Sequence, residues 1–316
     1  MAEQKWAAPD LRGKIALVTG ASRGVGRGVA VALGGCGATV YVTGRSSRGH
    51  AVTEDLPGSV DETAEHIDSR GGTGIPIRCD HGQDLQVEEL FSTIERGHRR
   101  LDLLVNNAWS GYERSGEVPF DEVFWRQPMW RYDLFAASLR GYYLTARLGV
   151  PLMLRTGTGL IVNIGFTDRD TYLGQVAYDM VKNATDRMTF GMARELSAHS
   201  ITAMALHPGF VATERVQAVW EALGEGPARI LHSPEYVGRA VAGLLADPDL
   251  RSFSGSALAV GDLAERYDFT DVNGLQPPAF RLEGMLSLAT RMERLNRAVA
   301  RSAEGSDSTP SRGGPR

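Results

Sequence analysis

Short apolar runs alternate with longer segments of helical periodicity from residue 14 to residue 261. Seven runs are apolar at successive positions, which is typical of strands covered on both faces of a sheet; they are residues 14–18, 38–43, 74–79, 101–105, 159–164, 201–206 and 256–261. Helical segments lie between them, at residues 24–35, 61–70, 84–96, 121–153, 172–199 and 234–246. Strands joined by helices run parallel with right-handed crossovers. The pattern therefore predicts an α/β fold, a single doubly wound parallel sheet of about seven strands with helices on both faces.

Two parts of the chain depart from this alternation. Residues 45–60 form a polar connection longer than is usual between a strand and a helix. After residue 261 the alternation stops, and residues 281–301 carry apolar positions near a helical period with arginines around them, which predicts an amphipathic helix. Such a helix can lie on a membrane, but few bulky aromatics are present, so we favour packing on the domain or on a partner subunit. Residues 302–316 are rich in Ser, Gly and Pro and are predicted to be disordered.

Composition and charge exclude several classes of protein. The balance of 34 Lys+Arg against 38 Asp+Glu gives a net charge of −4, without the basic excess of a nucleic-acid-binding protein. Two distant cysteines, Cys36 and Cys79, exclude a disulfide scaffold and a zinc site by spacing, and seven scattered histidines make a metal site unexpected. Neither a signal-type segment nor an apolar run of membrane-spanning length is present. We expect a cytoplasmic protein with no membrane or nucleic-acid partner.

A glycine-rich turn follows the first predicted strand and opens the first predicted helix. It reads Gly20-Ala21-Ser22-Arg23-Gly24-Val25-Gly26. Glycines let backbone N–H groups approach a pyrophosphate, and the start of a helix favours its negative charge. At the first strand-to-helix turn of a parallel sheet, these residues predict a dinucleotide site of the Rossmann type.

The end of the second strand indicates which dinucleotide fits. A carboxylate there binds the ribose 2′-hydroxyl of NAD, whereas an arginine accommodates the 2′-phosphate of NADP. This strand ends in Arg45, and Arg23 of the glycine turn should lie on the same side. Two guanidinium groups suit a phosphate, so NADP(H) is predicted in preference to NAD(H), unless both arginines are simply solvated.

A tyrosine and a lysine lie four residues apart in the helix after the fifth strand. Tyr178 and Lys182 therefore share one helix face, near the carboxyl edge of the sheet where ligands bind. Lowering the tyrosine pKa by ~3 units needs ~4 kcal/mol, about what a cation at ~4 Å supplies. The spacing predicts a tyrosine that exchanges a proton with a substrate oxygen.

Together these motifs resemble the short-chain dehydrogenase/reductase family over roughly residues 11–261. The motifs that carry the resemblance are the glycine turn, Cys79-Asp80, Asn106-Asn107-Ala108, Tyr178-x-x-x-Lys182 and Pro208-Gly209-x-Val211-x-Thr213. Trp109, the long 45–60 connection and the segment Tyr267-Asp268-Phe269-Thr270-Asp271 resemble one particular branch of that family. On this basis we divide the chain into a Rossmann-fold NADP-binding and catalytic domain (1–262), a C-terminal helical extension (263–301) and the disordered tail (302–316).

The resemblance implies a role for each matching residue. Tyr178 would be the general acid/base, and Lys182 would bind the nicotinamide ribose and lower the tyrosine pKa. The remaining cofactor contacts would come from the glycine turn (Gly20, Ser22, Arg23, Gly24, Val25, Gly26), from Arg45 and Asp80 at the adenine end, from Asn106, Asn107 and Ala108, and from Pro208, Gly209, Val211 and Thr213 beside the nicotinamide. Helices around residues 121–153 and 172–199 resemble the family's oligomer surfaces, which implies a homodimer or homotetramer.

The chain departs from the family at two catalytic positions. The serine that usually polarises the substrate carbonyl falls on Phe166 or Gly165, and the usual helical asparagine is Ser138. Losing one donor to a developing oxyanion costs ~2.7–4 kcal/mol. Three explanations stay open: Thr167 replaces the serine, with Ser138 supporting a water chain to Lys182; the substrate is already polarised, as an iminium or enone is; or hydride transfer is absent.

Aromatic residues in the segments bordering the carboxyl edge suggest an apolar substrate wall. They are Trp109, Tyr112, Trp125, Trp130, Phe166 and Trp220, of which Trp109 and Phe166 are our predicted substrate contacts, with Tyr178. For any one of them, packing under the long loop at residues 113–128 is an equal alternative.

Three functions remain from the sequence. The first is an NADPH-dependent oxidoreductase that acts on an apolar small molecule. The second is an enzyme on the same scaffold that binds NADP(H) but catalyses a non-redox step. The third is a nucleotide-bound regulatory protein without turnover.

Overall fold

A computed structural model describes residues 6–50, 56–114, 116–167, 171–223 and 231–281, and for residues 219–223 the backbone alone. Its strands are β1 (Ile15–Val18), β2 (Thr39–Gly44), β3 (Thr73–Arg78), β4 (Leu103–Asn106), β5 (Gly159–Ile164), β6 (Ile201–His207) and β7 (Ala257–Ala259). Its helices are α1 (Gly24–Gly35), α2 (Val60–Ser69), α3 (Asp84–His98), α4 (Met129–Leu154), α5 (Val176–Leu196), α6 (Glu214–Leu223), α7 (Pro234–Ala246) and α8 (Val260–Tyr267).

The seven strands form one parallel sheet in the order β3-β2-β1-β4-β5-β6-β7. This confirms the predicted Rossmann-type, doubly wound architecture. From β1 the chain first builds the sheet outward through β2 and β3, and then returns to place β4 on the other side of β1. The crevice at this reversal, outside the carboxyl ends of β1 and β4, is where ligands of such sheets bind.

Continuous apolar strands are explained by a hydrophobic core on each face of the sheet. Along β1, Ala16 and Val18 pack in the core that contains α1 and α7, whereas Ile15 and Leu17 pack in the core that contains α3 and α4. Successive side chains of a strand point to opposite faces, so a strand covered on both sides needs an apolar residue at every position.

Helix α4 begins at Met129, eight residues after the predicted start at residue 121. The residues before it form a loop held by the buried guanidinium of Arg131, which donates to the carbonyl oxygens of Val118 and Pro119. Pro128 is the N-cap residue. A loop organised by one buried arginine has no hydrophobic periodicity that would distinguish it from a helix. The sequence pattern therefore predicted a helix that begins within this loop.

Two helices at the carboxyl-terminal end were not predicted. Helix α6 follows β6. Strand β7 has 3 residues and α8 begins directly after it. Helix α8 therefore includes the last two residues of the predicted seventh strand and crosses the predicted domain boundary at residue 262. Beyond α8, Phe269 is fully buried, the Tyr236 hydroxyl donates to the Pro277 carbonyl at 2.8 Å, and Ser233 donates to Asp271. Contacts from Phe269, Asp271 and Pro277 therefore hold the segment after α8 against α7.

The predicted amphipathic helix at residues 281–301, apart from Arg281, and the predicted disordered tail at residues 302–316 lie outside the described residues. Within the described part of the chain, no helix combines the length and the apolar character needed to cross a membrane.

Helices α1 and α7 cross at a contact that only glycine permits. A Cβ at Gly28 would lie 2.2 Å from the backbone carbonyl carbon of Pro234, whereas a Cβ at Gly35 of the same helix would meet only Arg70, at 4.0 Å. We expect Gly28→Ala to destabilise the protein by about 1–3 kcal/mol through overpacking. Chemical denaturation measures this, and Gly35→Ala is the matched control for the helix propensity gained. Equal effects of the two substitutions would contradict the argument.

Candidate active site

The glycine-rich turn between β1 and α1 is pressed against the chain that leaves β4. A Cβ at Gly20 would lie 2.7 Å from the Ala108 Cα, and one at Gly26 would lie 2.3 Å from the Gly20 carbonyl oxygen. Gly20 and Gly24 also have φ of +64° and +57°, which other residues rarely adopt. The glycines are thus required by the backbone itself at this turn.

Hydrogen bonds fasten the turn to the loop after β4. The Asn107 side-chain amide donates to the carbonyl oxygens of Thr19 and Gly20, both at 3.0 Å. The backbone N–H groups of Asn107 and Ala108 both donate to the Thr19 hydroxyl. Asn107 and Ala108, which are predicted to contact a cofactor, therefore hold the glycine-rich turn in place.

The start of α1 holds a carboxylate supplied by another helix. The Gly24 N–H donates to Oε2 of Glu214 at 2.8 Å, and Arg27 lies 4.0 Å from the same carboxylate. Helix α1 has no acidic residue in its own first turn. The turn therefore accepts an anion, as the positive end of a helix dipole favours.

Thr213 places that carboxylate. Its hydroxyl accepts from the Val216 N–H at 3.3 Å, at the start of α6, and a Cβ at Gly24 would lie 3.3 Å from its methyl group. The predicted contact residue Thr213 thus lies directly beside the glycine turn. Val211, two residues earlier, is buried and pairs with His232.

The two arginines predicted to bind a 2′-phosphate are both engaged by protein groups. The Arg23 guanidinium donates to the Ser46 hydroxyl at 2.9 Å and to carbonyl oxygens of the 45–60 connection. Arg45 forms an ion pair with Glu113 at 2.5 Å. Around them, Ser22 is buried in the turn and Val25 packs against the core beneath α1.

The side chains of Asp80 and Asn106 differ in whether a cofactor could reach them. Asp80 follows β3 and accepts from the Gly82 N–H at 2.9 Å. The Asn106 side chain is fully buried, donates to Asn163 at 2.9 Å and accepts from Thr145 at 2.6 Å. Asn106 therefore joins β4 to β5 and α4, and the expectation that it lines the cofactor is wrong.

Tyr178 and Lys182 are both buried on the inner face of α5, each 7% exposed. The Tyr178 ring lies among three aromatic rings, with centroid distances of 5.8 Å to Trp109, 5.4 Å to Phe120 and 5.7 Å to Phe135. The Lys182 Nζ lies 3.8 Å from the centroid of the Trp109 ring and 5.6 Å from that of Tyr178. The pair is buried and shares one aromatic neighbour.

Burial governs the protonation of both groups. It raises the pKa of Tyr178 well above its usual value, with Tyr112 and Tyr142 acting in the same direction, and lowers the pKa of Lys182 to about 7 against the opposing effect of Asp186. The lowered tyrosine pKa that we expected is therefore wrong for this structure. Desolvation disfavours the charged form of each group, so the phenol stays protonated at neutral pH.

Neither hydroxyl considered as a replacement for the missing serine directs its hydrogen to Tyr178. The Thr167 hydroxyl donates to Asp186 at 2.9 Å, and the same carboxylate contacts Nε2 of His207 at 3.0 Å. Ser138 donates to the Leu134 carbonyl at 3.2 Å and accepts from the Ser110 N–H at 3.3 Å. A hydroxyl has one hydrogen to donate, and in both residues it is already used.

Tyr112 lies beside the same aromatic cluster, with its ring centroid 6.3 Å from that of Trp109 and the Arg215 guanidinium 5.3 Å from its own centroid. Tyr112 also acts to raise the pKa of Tyr178. The sequence identified Tyr112 only as one aromatic residue among several bordering the site. The sequence feature that could have placed Tyr112 in the site is its position shortly after the Asn107-Ala108 pair.

A second aromatic cluster closes the site from the carboxyl-terminal side. Phe166 stacks on Phe280 at 5.5 Å and contacts Phe210 at 6.1 Å. Gly209 has a φ of +78°, and a Cβ there would lie 2.6 Å from the Phe280 Cβ. The segment after α8 thus contributes to the site through Phe280, which the sequence pattern did not indicate. Of the Pro208-Gly209 pair, Pro208 lies beside His232: burial lowers the pKa of His232, and the Pro208 backbone acts in the opposite direction.

The remaining predicted wall residues lie elsewhere. Trp125 is 70% exposed, and the Trp130 ring is covered by the guanidinium groups of Arg114 and Arg131, at 4.3 Å and 5.2 Å. The side chain of Trp220 lies outside the described residues. Among the side chains that are described, no three His, Cys, Asp or Glu residues cluster as metal ligands.

Comparison with known proteins identifies the family. The model of the short chain dehydrogenase family matches residues 14–224, which include the glycine turn, Tyr178 and Lys182. The chain belongs to the short-chain dehydrogenase/reductase family.

Curated relatives extend the similarity over most of the chain. Dehydrogenase/reductase SDR family member 1 of Homo sapiens is 37% identical over 280 residues, covering 84% of this chain and 86% of the relative. The Mus musculus protein of the same name is 36% identical over 277 residues, covering 84% and 85%. The branch that Trp109, the 45–60 connection and residues 267–271 were predicted to resemble is that of SDR family member 1, and this prediction is confirmed.

A solved structure shows the same fold with a dinucleotide present. A metagenomic short-chain oxidoreductase in complex with NADP superposes with a TM-score of 0.61 at 25% sequence identity, covering 79% of this chain and 97% of that protein.

Proposed function

We propose that the protein is an NADP(H)-dependent short-chain oxidoreductase that transfers a hydride to or from a carbonyl or alcohol, or a related C=N or enone group, of an apolar small molecule. One observation carries the proposal. The buried pair Tyr178 and Lys182 shares contacts with Trp109, and Trp109 directly follows the Asn107-Ala108 segment that clamps the glycine turn. Tyr178, the proposed proton donor, is thus linked through Trp109 to the residues proposed to hold the dinucleotide.

Two protein carboxylates support the fit of a dinucleotide. Glu214 accepts from the α1 N-terminus, where a pyrophosphate would bind, and Glu113 pairs with Arg45, where a 2′-phosphate would bind. Both positions hold an anion in this structure, which supports the proposal that phosphate groups bind there. The arginines Arg45 and Arg23 support NADP(H) over NAD(H), and the structurally similar metagenomic oxidoreductase is a complex with NADP.

The chain's own residues would divide the chemistry as follows. When bound, the reduced nicotinamide supplies the hydride. Tyr178, kept protonated by burial, gives its proton to the substrate oxygen, and the aromatic rings of Trp109, Phe120 and Phe135 exclude water around it. Lys182 lies on the same face and is the residue proposed to hold the nicotinamide ribose. Trp109 and Phe166 are the proposed substrate contacts.

A homodimer or homotetramer through α4 and α5 is also proposed. Both helices expose large apolar side chains, among them Tyr143 at 59%, Met180 at 46% and Phe190 at 42%. Two buried cysteines without a disulfide, Cys36 and Cys79, support a cytoplasmic location.

A non-redox reaction on the same scaffold is the second candidate. It is favoured by the residues at the missing serine position, where Phe166 is packed against Phe280 and Thr167 is bonded to Asp186. Turnover of a substrate without net oxidation of NADPH would support it.

Tyr178→Phe tests the proposed acid/base. The substitution keeps the ring and its packing but removes the proton, so we expect NADPH oxidation with a panel of apolar ketones to fall by at least about 100-fold. NADPH binding, followed by fluorescence, should stay unchanged. Tyr132→Phe, at a partly exposed position of α4, is the matched control. Retained oxidation in Tyr178→Phe would contradict the assignment.

Arg45→Ala tests the preference for NADP(H). Removing the guanidinium removes a charge-assisted contact to the 2′-phosphate, so the Kd for NADPH should rise by about tenfold or more, about 1.4 kcal/mol, with little change for NADH. Isothermal titration calorimetry gives both constants. Arg48→Ala, three residues on and paired with Glu65, controls for the loss of a positive charge. An equal loss of affinity for NADPH and NADH would show that Arg45 does not bind the 2′-phosphate.

Glu214→Ala tests whether the carboxylate competes with the cofactor. Without it the α1 N-terminus has no intramolecular anion to release, so we expect NADPH to bind several-fold more tightly. Glu235→Ala, which removes an acidic residue from the first turn of α7, is the control. Weaker binding in Glu214→Ala would mean that Glu214 contacts the cofactor directly.

A further inference from the structure

The segment after α8 brings a phenylalanine ring to the apolar cluster that contains Tyr178. Phe280 packs against this cluster, as Phe166 and Trp109 do. Its ring stacks on that of Phe166, with centroids 5.5 Å apart and the planes inclined by 29°, and its centroid lies 5.0 Å from that of Phe210. A residue that follows the last strand and helix of the sheet therefore lies in the site formed by the ends of β5 and β6 and by α5.

The chain is held against α8 on both sides of Phe280. Before it, a Cβ at Gly261 would lie 2.1 Å from the Ala279 backbone nitrogen, so the chain crosses the start of α8 at a contact that needs glycine. After it, Arg281 forms an ion pair with Asp262 at 3.0 Å. The position of the Phe280 ring therefore follows from contacts that its neighbours make with the domain.

The chain that leaves β6 passes directly beside Phe280. Gly209 has a positive φ, and a Cβ there would lie 2.6 Å from the Phe280 Cβ. Pro208 and Gly209 are the residues that the family resemblance places beside the nicotinamide. Under the proposed function, Phe280 therefore lies near the reacting end of the cofactor as well as near Tyr178.

The rings of Phe166, Phe210 and Phe280 are only partly buried, whereas Phe135 of the Tyr178 cluster is fully buried. A ring that serves only as core packing is enclosed on every side. Partly exposed apolar rings that are grouped beside a buried polar group are typical of the wall of a small-molecule site. Phe166 also stands where the family has its serine, so this side of the site offers ring surface to a substrate and not a hydroxyl.

We propose that Phe280 is a specificity-determining residue that contacts the group attached to the substrate carbonyl, and that this group is aromatic. The inference rests on the proposed function and names the substrate class as an aryl ketone or the corresponding alcohol. The aryl group packs against the rings of Phe166 and Phe280, while the carbonyl oxygen accepts from Tyr178. Aromatic pairs gain attraction beyond the apolar area that they bury, which favours an aryl group over an alkyl group at this place.

Two diketones that differ in a single substituent test the inference. They are diacetyl and acetylbenzoyl, in which a phenyl group replaces one of the two methyl groups. With NADPH, Phe280→Ala should raise the KM for acetylbenzoyl by about tenfold, because the ring contact is lost, with little change in its kcat. Both constants for diacetyl should stay at the wild-type values. Leu275→Ala, in the same segment and 62% exposed, is the matched control.

Phe280→Leu separates recognition from folding. Leucine keeps apolar volume beside Gly209 but has no ring, so the melting temperature and the Kd for NADPH should match those of the wild type. The KM for acetylbenzoyl should still rise several-fold. If Phe280→Ala does not fold, this variant decides the question.

The outcomes separate the two proposals. An unchanged KM for acetylbenzoyl in the folded variants overturns the role of Phe280 and leaves the oxidoreductase proposal standing. A rise in KM that is equal for the two diketones, or that accompanies an equal loss of NADPH binding, also overturns it, because Phe280 would then support the site as a whole. Wild-type enzyme that reduces neither diketone nor any ketone of the panel contradicts the proposed function, and with it this inference.

Discussion

The backbone contact between the glycine turn and the end of β4 is the constraint on which the rest of the site depends. Gly20 meets Ala108 almost backbone to backbone, and Asn107 closes the contact with two hydrogen bonds to the turn. This contact fixes the direction in which the chain leaves β4. Trp109 follows Ala108 directly, so the ring that contacts both Tyr178 and Lys182 is placed by this close approach at the switch point of the sheet.

Much of the fold could be predicted from the sequence, because its signals are local. A strand buried on both faces reads as a continuous apolar run, and β5 and the helices α1 and α7 have the predicted bounds. The loop before α4 could not be predicted, since it is organised by the buried Arg131 and its contacts with distant carbonyls. Helix α8 was missed because an apolar run of a few residues fits either a strand or the first turn of a helix.

At the site, motif spacing identified the residues but not their partners. Tyr178 and Lys182 share the inner face of α5, and the glycine turn joins β1 to α1. The sequence could not show that Thr167 is bonded to Asp186, that Asn106 is bonded to β5 and α4, or that Phe280 contacts Gly209. Each of these is a contact between residues far apart in sequence. The direction of the Tyr178 pKa likewise follows from desolvation, which spacing does not report.

The carboxylates of Glu214 and Glu113 have a consequence for how the protein responds to salt. A binding cleft lined by uncompensated cations attracts any anion, and its affinity falls steeply as ionic strength screens the field. Here the positive end of α1 and the guanidinium of Arg45 are already neutralised by internal partners. Under the proposed function, entry of a phosphate would be an exchange of one anion for another, in which the local net charge changes little. Binding would then depend less on ionic strength than it does in a cleft lined by uncompensated cations.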